Sequence, residues 1–154
     1  MVQIKQKTVI EMKLGGAIET HARARVSVRD VEAVIDEPVA RGGTNQGLSP
    51  TETMMASLIG CTNVISHRIA EHMGVEFKAM DIKFSAQFDR RGVMLEAEVE
   101  QPFSDIVMDI DVTTDATDEQ MAKIKSDLGK FCPIAKVIRA SGITITENWN
   151  IIRP

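Results

Sequence analysis

The sequence predicts an α+β fold in a single domain spanning residues 1–154, and three observations predict it. Short stretches of alternating apolar and polar residues lie near both ends of the chain, the period of half-buried strands. Between Ser49 and Met73 the apolar residues recur every three or four positions, the period of a helix. Two shorter capped helical patterns follow Ala116, and a last alternating stretch closes the chain. With 154 residues, 44% of them hydrophobic and 26% charged, the chain suits one ordinary core.

Taken in order, Thr8–Leu14, Glu19–Val28 and Val31–Ile35 read as strands of a meander, punctuated by Gly15-Gly16 and Arg29-Asp30. Asp36–Leu48 carries Pro38, Gly42, Gly43, Asn45 and Gly47 and reads as a loop. Ser49-Pro50-Thr51-Glu52 has the form of a helix start: a capping serine, a proline in the first turn and a glutamate at the capping-box position. The helix is expected to run to Met73 and stop at Gly74, with Met54, Leu58, Cys61, Ile65 and Ile69 on its apolar stripe. Met80–Asp89, Val93–Glu100 and Ile106–Thr113 read as three more strands. A helix opened by Thr117 and Gln120 is expected to end at Gly129, and another begins at Cys132-Pro133 and runs to Ala140 before Gly142. Ile143–Trp149 is the closing strand, which gives the order βββ-α-βββ-αα-β.

A net charge of -4 offers no basic field for phosphate backbones, which argues against nucleic-acid or anionic-membrane partners and leaves small molecules or proteins. No apolar run reaches the roughly 20 residues that span a bilayer, and Met1–Gln6 has no leader-like apolar segment, so the cytoplasm is the expected compartment. His67 and His72 stand five apart and His21 is isolated, so no metal site is expected. The sequence has no CxxC, no nucleophile elbow, and no glycine pattern of a phosphate- or dinucleotide-binding loop, so no cofactor is expected either.

The chemistry then rests on two cysteines, which in a reducing compartment are thiols or transient catalytic disulfides. Cys132 opens a helix, where the positive end of the macrodipole favours thiolate; a small buried residue at a tight helix entry is the commoner role of a cytosolic cysteine in such a place. Cys61 lies in mid-helix and needs a nearby cation to act as a nucleophile. Candidate cations are Arg23 and Arg25, on one strand face by period two, Arg29, and Arg41 in the glycine loop. Glu52 is either a helix cap or a partner that orients such an arginine.

The run Asp36-Glu37-Pro38, Gly42-Gly43-Thr44-Asn45, Ser49-Pro50-Thr51-Glu52 and Leu58-Ile59-Gly60-Cys61-Thr62, with Phe131-Cys132-Pro133 later, resembles the OsmC/Ohr family of hydroperoxide-reducing and stress-induced proteins. The resemblance implies an OsmC-like fold: antiparallel sheets packed around a long central helix, in an intertwined homodimer. It implies a thiol peroxidase acting on organic hydroperoxides, and on hydrogen peroxide as a further substrate, in which Cys61 becomes a sulfenic acid that Cys132 resolves. Small dithiols such as dihydrolipoyl groups would restore the pair. An arginine from the first sheet and a glutamate near the start of the long helix would assist Cys61, falling nearest Arg23 and Glu52. The Ohr branch places glutamate directly after the helix-opening proline; here Thr51 stands there and Glu52 follows, turned by about 100° around the helix. An apolar pocket of Met54, Met55, Leu58 and Phe131 would favour organic peroxides. The alternative is a non-enzymatic ligand-binding or redox-sensing protein of the same fold.

Overall fold

A computed structural model describes residues 8–154; the reading of Met1–Gln6 concerns residues outside that range. The chain forms two compact units, one ending at Met55 and the other comprising Ala56–Pro154.

The first unit is an antiparallel meander of β1 (Gly15–Ile18), β2 (Arg23–Val28) and β3 (Val31–Asp36), paired in that order. Arg29 adopts a positive φ of 54° in the two-residue β2–β3 turn, the backbone sense that follows the twist of a tight hairpin. The expected strand over Thr8–Leu14 does not form: β1 starts at Gly15, opposite Ser27, and the glycine pair lies inside the ladder rather than outside it. The physical reason is register: β2 ends at Val28, where the chain turns into β3, so residues before Leu14 have no β2 position opposite them. The expected loop contains a 3₁₀ turn at Val39–Arg41. It folds around Asp36, fully buried, whose Oδ2 accepts from the amides of Thr44 and Gln46, both at 3.0 Å, and from the Thr44 hydroxyl. Burial pushes the Asp36 carboxyl up, and these hydrogen bonds more than offset it, so the group stays below its ordinary pKa.

Helix α1 (Pro50–His72) begins with the predicted capping box: the Glu52 carboxylate accepts the Ser49 amide at 2.8 Å, and the Ser49 hydroxyl accepts the Glu52 amide at 3.4 Å. Gly74, at φ 69°, lets the chain leave the helix. The buried line of α1 is Met55, Leu58, Thr62, Ser66 and Ala70. Of the predicted stripe only Leu58 belongs to it; Cys61, Ile65 and Ile69 lie half-buried beside it and Met54 is exposed.

The second unit holds β4 (Phe77–Phe88), β5 (Phe103–Thr114) and β6 (Ile145–Ile152), in that order in one sheet. Alternate residues Ile106, Met108, Ile110 and Val112 of the central strand are fully buried. Ala70, Phe77, Val112, Ala116, Met121 and Ile124 form a contiguous cluster, which removes this apolar surface from water. The α+β class stands, with two corrections. The sheet is not wholly antiparallel: β5 and β6 run parallel, because α2 (Asp118–Phe131) and α3 (Pro133–Ala140) form the crossover between them. Val93–Glu100 is not a strand; Met94, Leu95 and Glu96 donate back to Arg90, Gly92 and Arg91, and Leu95 has φ 58°, so the segment coils into turns.

Thr117 caps α2 in a complete capping box with Gln120. Gly129 does not end this helix, which continues to Phe131 because its stop lies at Cys132-Pro133. The closing strand starts at Ile145 and extends to Ile152, later at both ends than the sequence pattern gives. Thr117→Ala, which leaves the Gln120 amide without its acceptor, is expected to cost about 1 kcal/mol of stability, read as a lower urea midpoint at unchanged m-value.

Candidate active site

Cys132 sits at a junction that proline dictates. A residue before proline is forced towards extended backbone, and Cys132 has φ -72° and ψ 107°. Its amide closes α2 by donating to the Leu128 carbonyl at 3.0 Å, while its Sγ accepts from the Ala135 amide at 3.4 Å as the N-cap of α3. One residue therefore ends one helix, starts the next, and fixes where its sulfur points.

That sulfur points at Cys61. The two Sγ atoms are 2.8 Å apart, Cys132 donating, with both residues present as free thiols. Cys132 is fully buried and Cys61 half-buried. A disulfide requires about 2.05 Å between sulfurs, so bridging needs a shift of less than about 1 Å.

Burial pushes the Cys132 thiol up to about 11, and its hydrogen bond to Cys61 adds to the rise; the amides of Ala135 and Ile134 pull the other way and lose. This corrects the dipole reading: in a dry site, desolvation outweighs the helix N-terminus, and Cys132 is a thiol at neutral pH. The pair is thus asymmetric, with the protonated buried sulfur donating to the sulfur that solvent can reach.

The remaining predicted residues lie in the first unit. Glu52 is engaged by Ser49, and the Ser49 amide is the main reason its carboxyl lies below its ordinary pKa. Arg23 donates from Nε to Glu19 at 2.7 Å and from Nη1 to the Thr44 hydroxyl at 2.7 Å, which joins it to the Asp36 cluster. Arg25 shares Glu19, at 2.9 Å; Arg41 pairs with Glu37 at 2.6 Å; Arg29 forms the β2–β3 turn. The structure brings Cys61 to Cys132 and builds Arg23 into a network through Glu19, Thr44 and Asp36. Sequence reasoning singled out Asp36 and Thr44 only as letters of a motif; the signal available was an aspartate ending an apolar strand ahead of a loop rich in free amides.

Phe131 lines a groove with Ile65, Ile69 and Met73. Met54, Met55 and Leu58 lie nearer the N-terminus of α1 than Ile65 and Ile69. Among the described residues, no three His, Cys, Asp or Glu side chains gather as metal ligands, and no helix is long and apolar enough to cross a membrane.

The profile of the family described as OsmC-like protein matches residues 43–148. An OsmC-like protein from Mycoplasma pneumoniae superposes with a TM-score of 0.76 at 10% identity, over 93% of this chain and 98% of that one. The organic hydroperoxide resistance protein OhrB of Bacillus subtilis gives 0.58 at 17% identity, over 92% and 98%. An organic hydroperoxide resistance protein OsmC from Legionella pneumophila gives 0.60 at 11%, over 95% and 99%. At these identities the likeness is one of fold. No curated protein sequence matches the chain.

Proposed function

Because this chain belongs to the OsmC-like protein family, we propose that it is a thiol peroxidase that reduces organic hydroperoxides through Cys61 and Cys132. The observation that carries this reading is the 2.8 Å approach of a buried thiol to a more accessible one 71 positions away in sequence. The names of two fold neighbours, organic hydroperoxide resistance proteins, support organic hydroperoxides as the substrate class of this reading.

In the proposed cycle the Cys61 thiolate attacks the distal oxygen of ROOH. The O–O bond breaks, the alcohol ROH leaves after taking up a proton, and Cys61 becomes a sulfenic acid. The Cys132 sulfur then attacks Cys61; an S–S bond forms, and the sulfenic hydroxyl leaves as water with the proton that Cys132 gives up. A dithiol such as a dihydrolipoyl group returns two electrons and two protons and is itself oxidised to its disulfide. The role split follows from accessibility: peroxide meets Cys61 first, and burial keeps Cys132 as the follower. In this reading Arg23 and Glu52 assist Cys61, an assignment that rests on the family resemblance. The working form is a single-domain chain in a cytoplasmic homodimer.

Addition of one equivalent of cumene or tert-butyl hydroperoxide to the reduced protein is expected to remove both thiols together, with hydrogen peroxide reacting more slowly. Unchanged thiol counts would sink the proposal.

The Cys132 pKa adds a pH prediction. Attack requires thiolate, and burial holds the Cys132 thiol above its ordinary pKa, so disulfide closure is expected to accelerate as pH rises from 7. Stopped-flow measurement of the closing phase checks this, and a plateau below pH 8 contradicts it.

A further inference from the structure

Resting on the peroxidase reading above, we propose that Arg139 and Glu147 are positioning residues for the second half of the cycle: their ion pair locks α3 against β6 and so holds the Cys132 sulfur on Cys61. Glu147 stands where the fold asks for an apolar residue. In the parallel ladder it lies opposite Met108, as Ile145 lies opposite Ile106 and Trp149 opposite Ile110. Those three β5 residues are fully buried, so Glu147 points to the buried face of the sheet, its side chain only 15% exposed. A carboxylate in that setting is costly unless it is paired. Both its oxygens are engaged: Oε1 accepts from Arg139 Nη2 at 3.0 Å, and Oε2 from the Trp149 indole N–H at 3.4 Å.

The partner arginine comes from the last turn of α3 and runs alongside Gly129 of α2, where a Cβ would already stand 3.7 Å from Nη1. With eight residues, α3 is too short to be held by its own backbone bonds. Its buried Ala135 and Ile138 hold it by apolar contact, which has no direction and lets a short helix roll. The ion pair supplies the direction. Arg139 lies seven residues beyond Cys132, within about 20° of two full turns, so both lie on one side of α3 and fixing one fixes the other. At the ~5 Å radius of a helix side chain, a roll of about 10° moves an atom by about 0.9 Å. That is as far as the sulfurs must travel from 2.8 Å to a bond of about 2.05 Å. In that step the Cys132 sulfur displaces the sulfenic hydroxyl of Cys61; the S–O bond breaks as the S–S bond forms, and water leaves with the Cys132 proton. Misplacement by about 1 Å slows such a step by up to about 10²-fold.

Stopped flow on the reduced protein separates two phases after cumene hydroperoxide is added: sulfenic acid formation at Cys61, then disulfide closure. Arg139→Gln and Glu147→Gln are each expected to slow closure about tenfold or more, and to change the first phase by less than about threefold. Arg139→Lys is expected to recover part of the loss. Glu147→Gln keeps the shape of the side chain and an acceptor for Trp149, so it removes the charge alone. The double variant is expected to close no more slowly than the slower single one, because the residues act as a pair. Trp149, the chain's only tryptophan, reports by its emission that each variant is folded. Diamide, which takes two electrons and two protons from the dithiol and becomes the hydrazine, closes the bond without peroxide. If no hydroperoxide is consumed, the peroxidase reading fails, while diamide closure slowed by the same variants upholds the positioning role. Closure at the wild-type rate in either single variant that folds overturns the inference. Equal slowing of both phases also overturns it, since that marks general loosening of the unit, as does full additivity in the double variant.

Discussion

Cys61→Ser is expected to lower hydroperoxide turnover by about 10³-fold or more, because a serine hydroxyl with no adjacent base does not attack a peroxide oxygen at neutral pH. Cys132→Ser is expected to behave differently. Its first turnover survives, since Cys61 still meets the peroxide, but the product stalls as a sulfenic acid that a dimedone-type reagent traps. This contrast follows from the site's asymmetry: Cys132 is fully buried and held as a thiol, while Cys61 is the sulfur that solvent reaches. Retained turnover in Cys61→Ser, or a trapped sulfenic acid on Cys132 in that variant, would reverse the assignment.

The largest stability effect is expected at Gly43→Ala. A Cβ at Gly43 would stand 1.8 Å from the Glu37 carbonyl oxygen, 2.4 Å from its carbon and 2.8 Å from Asp36 Oδ1. The obstacle is backbone, which cannot swing aside as a side-chain tip does. The loop must open, and Asp36 then loses the amides that hold its charge in a dry setting. The cost is about 3 kcal/mol or more. Gly16→Ala, where a Cβ meets nothing within 4 Å, is the control and should stay within about 0.5 kcal/mol of the parent. Urea unfolding of the two variants checks the contrast; similar midpoints would show that the loop yields easily.

What the sequence disclosed was local. Ser49 with Glu52 and Thr117 with Gln120 form the capping boxes their letters announce, because a cap involves four consecutive residues and little else. Pro133 marked a helix start correctly for the same reason. Non-local features were not legible. The alternation in Val93–Glu100 had the period of a strand but no partner strand to pair with, and it coiled into turns. The parallel register of β6 on β5 depends on where two helices deposit the chain, which no strand pattern encodes.

For the site, the two cysteines and the helix-opening role of Cys132 were readable, but their separation of 71 positions hid the contact between them. The direction of the Cys132 pKa was misjudged because the helix N-terminus is visible in sequence and desolvation is not. The groove residues Ile65 and Ile69 belonged to a predicted stripe, yet that they lie half-buried beside Phe131 emerges only in three dimensions.

The most direct test is peptide mapping by mass spectrometry after the reduced protein receives one equivalent of cumene hydroperoxide. A single disulfide joining the Cys61 and Cys132 peptides, formed with one equivalent of the alcohol, is the predicted result. Both peptides recovered with free thiols while the hydroperoxide persists would contradict the account.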